Sequence, residues 1–181
     1  MSFSVAAEKP LVIVVSEKEH GAVKRAAQDL AGDVFRITGV APRWGWESTA
    51  PNAIVIATQG VGDPPFSSHE VSPPAHPEGY AIRTLDVSGT NVLLICGHDF
   101  RGTMAGIYHF CEAFLGVDPF HLWTEVPPAP PRGLSWSGIR VESKLPTFRW
   151  RGWFINDEDL LTEWRDGGGE RHIDYPYFHQ V

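Results

Sequence analysis

The sequence predicts an α/β protein: a small mixed-sheet domain with two helices, followed by the first strand of a second, incomplete unit. Three observations predict this. Short apolar runs at residues 11–15 and 53–57, rich in β-branched side chains, suit strands buried on both faces. Two longer stretches instead repeat apolar residues every three or four positions, the stripe of an amphipathic helix. A proline-rich run, Pro127-Pro128-Ala129-Pro130-Pro131, then separates these elements from one further apolar stretch at 148–155.

Residues 11–15 give the first strand. From Gly21 the period changes: Val23, Ala26, Ala27, Leu30, Val34 and Ile37 fall on one helical stripe, closed by Gly39 as a cap. Residues 53–57 give the second strand. A loop follows over 60–77, with prolines and small polar residues. Residues 80–87 and 91–96 read as two strands of a hairpin turning at Ser88-Gly89-Thr90. Asp99 is placed to cap a second helix, whose buried stripe is Met104, Ile107, Tyr108, Cys111, Phe114 and Leu115 and whose end is Gly116. The domains expected are therefore 1–125 for the α/β unit, 126–146 for a Pro-rich linker and 147–181 for the second unit. The last of these is too short to bury a core of its own.

The chain has 181 residues and a formal net charge of −7, which argues against a nucleic-acid partner, since phosphate-tracking proteins carry a basic face. No apolar stretch approaches the ~20 residues needed to span a membrane. The opening MSFSVAAEKP lacks a basic region followed by a long apolar run, so no signal peptide is expected. The default compartment is then cytoplasmic, or extracellular if the N-terminus is incomplete. Cys96 and Cys111 fall in a strand and a helix without metal-ligand spacing, and read as small core hydrophobes.

Several motifs are near misses. Gly60-Val61-Gly62 follows a strand, but no third glycine opens a helix, so a dinucleotide site is not expected. Residues 97–103, GHDFRGT, lack the lysine of a phosphate loop and read as a tight turn into the second helix. The histidines are scattered; His98, His109 and His121 come nearest to clustering, and no metal or other cofactor is expected. What stands out is residues 149–158, RWRGWFINDE. An apolar strand tipped with Asn156, Asp157 and Glu158 fits the carboxyl end of a barrel strand, where (β/α)8 enzymes keep their chemistry. The same tip also fits a plain helix-capping turn.

Three stretches together resemble the N-terminal region of glycoside hydrolase family 115, the xylan α-1,2-glucuronidases. They are 23–30 (VKRAAQDL) leading to 37–40 (ITGV), 97–108 (GHDFRGTMAGIY), and RWRGWFINDE. The resemblance covers nearly the whole chain and implies an accessory domain followed by the first strand of an incomplete (β/α)8 barrel. It implies a carbohydrate substrate and inversion at the anomeric carbon. Asp157 and Glu158 would then be catalytic candidates, with their acid and base roles unassigned. Asn156 would stand beside them, Arg151 would reach substrate hydroxyls or a uronic carboxylate, and Trp123 would belong to an aromatic cluster near the site. The sequence departs from the family at 159–164 and 171–177. An inverting enzyme holds its two carboxyl groups ~6.5–9.5 Å apart, and the partner would come from later strands, so the chain alone is expected to be inactive. The alternative is a stand-alone α/β module that binds a carbohydrate or a protein.

Overall fold

The computed structural model describes residues 2–5, 11–45, 52–62, 72–87, 89–120 and 134–152. Its elements are β1 (Ser2–Val5), β2 (Val12–Val15), α1 (Gly21–Thr38), β3 (Arg43–Gly45), β4 (Ala53–Thr58), β5 (Tyr80–Val87), β6 (Thr90–Gly97) and α2 (Phe100–Phe110). After α2 come a π-helical turn (Cys111–Leu115), β7 (Leu134–Ser137) and β8 (Arg140–Glu142). The expected α/β class, with a mixed sheet and two helices, is what the structure shows.

Six strands form the main sheet in the order β3-β2-β4-β6-β5-β8. The first four are parallel; β5 runs antiparallel to β6, and β8, antiparallel to β5, closes that side. The β5–β6 hairpin forms as expected, with Val87 opposite Thr90. Strand alternation sorts β4 into two sets. Ile54 and Ile56 join Ile13, Leu93 and Ile95 beneath the two helices, while Ala53, Val55 and Ala57 join Val14, Leu94 and Cys96 on the other face. None of the buried residues of that second face comes from a helix among the described residues.

The helices follow their apolar stripes except at Tyr108, expected in the buried stripe of α2, which is 44% exposed and donates its hydroxyl to Asp29 at 2.9 Å. Val23, Ala26, Ala27, Leu30, Val34 and Ile37 of α1 are buried. The His20 side chain accepts from the Ala22 N–H at 3.2 Å, and Gly39 ends the helix at φ 71°. In α2, Ile107 and Phe110 are fully buried, each worth ~1.5–3 kcal/mol of apolar burial. The turn after it is stopped by Gly116 at φ 73°. Both cysteines are buried free thiols. Burial, with Glu19 nearby, pushes the Cys96 thiol up to about 11.

The expected linker at 126–146 is corrected by its described part. Residues 134–143 are built into the α/β domain. Leu134 and Ile139 are each 7% exposed and sit in the core beneath the helices. Trp136 packs on Phe110 with ring centroids 5.2 Å apart and donates its indole N–H to Phe114 O at 3.1 Å. β7 pairs with β1, and β8 extends the main sheet beyond β5, setting Val141 opposite Ile82. The reason lies in the local pattern: apolar residues alternate at 134 and 136 and again at 139 and 141, which suits short half-buried strands.

The expected strand at 148–155 also differs in its described part. Among the described residues no strand pairs with 148–152, and Phe148 and Trp150 are 70% and 76% exposed. Residues 153–155 lie outside the described residues.

Candidate functional site

In open α/β sheets, ligands favour the crevice at the carboxyl ends of the strands, where the winding reverses direction. Here that point lies between β2 and β4. From β2 the chain crosses by α1 to β3 on one side, then returns to β4 on the other and runs on towards β6. The loops that meet there are residues 16–20 after β2 and 59–62 after β4.

The crevice is filled from within. Glu19, 4% exposed, accepts from the Thr58 N–H at 2.7 Å and from the Thr58 hydroxyl at 2.9 Å. The Thr58 and Thr103 hydroxyls lie 2.7 Å apart, which carries the chain of bonds to the first turn of α2. Gly62, at φ 69°, packs so closely that a Cβ there would lie 2.8 Å from Ser16 Oγ. A carboxylate at this point has the wrong sign for a phosphate, and the backbone donor a phosphate needs is already taken. The described part of the edge therefore does not suit a nucleotide phosphate.

One step along the edge, at the ends of β6 and α2, the surface is more open. Gly97 allows the tight turn into α2, since a Cβ there would collide with the Thr103 backbone nitrogen and hydroxyl. Asp99 caps α2, accepting from the Gly102 N–H at 2.8 Å through one oxygen and from the Glu78 N–H at 2.9 Å through the other. Burial pushes its carboxyl up. The bonds from Glu78 and Gly102, with His98 and the Arg101 backbone, outweigh burial and hold it below the usual carboxylate range. The Glu78 carboxylate stands 3.9 Å from Arg101 Nη1 and is paired with Arg151 Nη2. Around the rim, the His20 and Phe100 rings stack with centroids 4.3 Å apart, and His98 Nδ1 lies 2.9 Å from Gln59 Oε1.

Of the residues expected to carry function, the structure places Arg151. It belongs to this edge, but an internal carboxylate, Glu78, already engages its guanidinium. Trp123, Asn156, Asp157 and Glu158 lie outside the described residues. Sequence reasoning missed Glu19, Thr58, Thr103 and Glu78. Nothing local marks them, because each acts on a partner far along the chain. Glu19, Glu78 and Asp99 are all committed to hydrogen bonds or ion pairs within the fold. None of the three is placed to act as one of a pair of carboxyl groups flanking a glycosidic bond. No cluster of three or more metal-capable side chains occurs among the described residues, and no helix among them is long and apolar enough to cross a membrane.

No protein-family model matches the sequence, and no curated protein matches it. Among solved structures, the fold is similar to part of a family GH115 4-O-methyl-α-glucuronidase with specificity for decorated arabinogalactans. The TM-score is 0.69 at 23% identity, covering 95% of this chain and 22% of that one. The likeness is one of fold: over nearly its whole length, this chain is built like about a fifth of a GH115 enzyme.

Proposed function

We propose that this chain is the accessory α/β part of a glycoside hydrolase acting on a uronic-acid or related sugar side chain of a plant polysaccharide. The reading is α-glucuronidase-like and inverting, and residues 147–181 open its catalytic barrel. The observation that carries it is the GH115-like fold across 95% of the chain. The committed carboxylates of the described edge support it from another side: the chemistry falls to Asp157 or Glu158, with Asn156 beside them and Trp123 near by. A partner carboxyl would come from a later barrel strand. General acid or base catalysis contributes ~10²–10⁴-fold, so residues 1–181 alone release no uronic acid from glucuronoxylan or arabinogalactan.

The test is a graft. Residues 1–181 replace the matching segment of a GH115 enzyme, and release of uronic acid is assayed. Activity in the graft, lost on Asp157→Asn or Glu158→Gln, is expected. A folded but silent graft, or an active one indifferent to both substitutions, sinks the reading.

A further inference from the structure

We infer that Glu78 is a positioning residue: through Arg151 it holds the 148–152 segment against the first turn of α2. Among the described residues, only Asn52 and Glu78 of the non-glycines have positive φ, at 68° and 60°. Asn tolerates the left-handed region well, whereas Glu does so at a steric cost that glycine would avoid. Strain of this kind persists only where the surroundings enforce it. They do so here. The Glu78 N–H is held by Asp99 at 2.9 Å, and the adjoining Gly79 carbonyl packs against Gly102 with no room for a Cβ on that helix residue.

What glycine could not supply at position 78 is a carboxylate. That carboxylate, on a side chain only 16% exposed, lies between Arg101 and Arg151. Arg151 also donates through Nη1 to its own segment's Phe148 O at 2.6 Å. One guanidinium thus gathers the backbone of 148–151 and fastens it to Glu78. Phe148 and Trp150 remain exposed, so burial of their rings does little to hold the segment in place. The clamp stands on these contacts alone. Its purpose, aiming the chain that runs on to Asn156, rests on the function proposed above.

The test uses the purified chain and the initial rate of tryptic cleavage after Arg149, read by mass spectrometry beside the denaturant midpoint. Glu78→Gln and Glu78→Gly are each expected to raise the rate about threefold, the size a partly exposed ion pair allows. Arg151→Lys keeps the charge and retains part of the protection. The midpoint stays unchanged for Glu78→Gln and rises for Glu78→Gly, because relief of the backbone strain is independent of the clamp. Unchanged cleavage in both Glu78 variants overturns the inference. So does a fall in midpoint that tracks the cleavage, which would make Glu78 merely structural. In the graft, Glu78→Gln is expected to lower kcat with KM unchanged, and an unaltered kcat overturns the positioning role. A graft silent with Glu78 intact removes the functional reading only, and the tryptic result still decides the clamp.

Discussion

Glu19 and Glu78 stand on the same edge of the sheet, and each carboxylate ties distant parts of the chain together, yet they are built for different purposes. Glu19 is 4% exposed, and its donors are a backbone N–H and a hydroxyl that strand geometry fixes in place. Glu78 faces two guanidinium groups whose side chains are 58% and 51% exposed. A desolvated carboxylate with rigid donors is costly to disturb, because any break leaves a buried polar group unpaired. An ion pair open to water exchanges readily with solvent and is weakened by salt. The edge therefore contains a permanent joint and an adjustable one.

The largest expected effect breaks the permanent joint. Glu19→Ala strands the Thr58 N–H, leaves its hydroxyl only Thr103 as a partner and should cost about 3 kcal/mol, read as a lower urea midpoint with an unchanged m-value. A loss below about 1 kcal/mol would erase the distinction between the two carboxylates. Next comes Gly102→Ala. Its new methyl would meet the Gly79 carbonyl, and overpacking of this kind costs about 2 kcal/mol. Because it pushes on the turn that carries Glu78, it should also speed cleavage after Arg149, linking the joints. A smaller effect follows acidification. The folded-state pKa of Asp99 is depressed, so its contribution is complete above the ordinary value of about 3.9 and is lost as pH falls through the folded value. Asp99→Asn should flatten the acid limb of a stability–pH curve. The smallest effect is Arg151→Gln, expected within about 0.5 kcal/mol of the parent in global stability. A larger loss would mean that 148–152 contributes to the core.

The sequence made the parallel core legible for a simple reason. Residues 53–57 and the stripe from Val23 to Ile37 each carry their whole signal locally, the first as an unbroken apolar run and the second in a period of three to four. β3 escaped notice because Arg43-Trp44-Gly45 is three residues long, with Arg43 and Trp44 exposed, which leaves no periodicity to detect. β7 and β8 were hidden by the prolines before them, since a stiff extended run reads as a boundary whether or not the chain returns to the sheet. Glu19 could not be found at all: its partner Thr58 is 39 positions away, and nothing in a Glu-His pair before a helix announces that contact. Arg151 was expected to reach a substrate; its carboxylate partner within the fold, 73 positions earlier, is a product of tertiary structure that no local pattern announces.

The late arrival of β7 and β8 has a consequence for synthesis. A nascent chain that has emerged only as far as Leu115 possesses both helices and five strands of the main sheet, but β1 has no partner and the outer side of β5 lies open. An uncovered strand margin is where neighbouring polypeptides on a polysome can zip together. The stretch up to Glu142 thus acts as a closing seam, and a gene trimmed at residue 125 should yield protein that clumps, whereas one trimmed after residue 146 should stay dispersed.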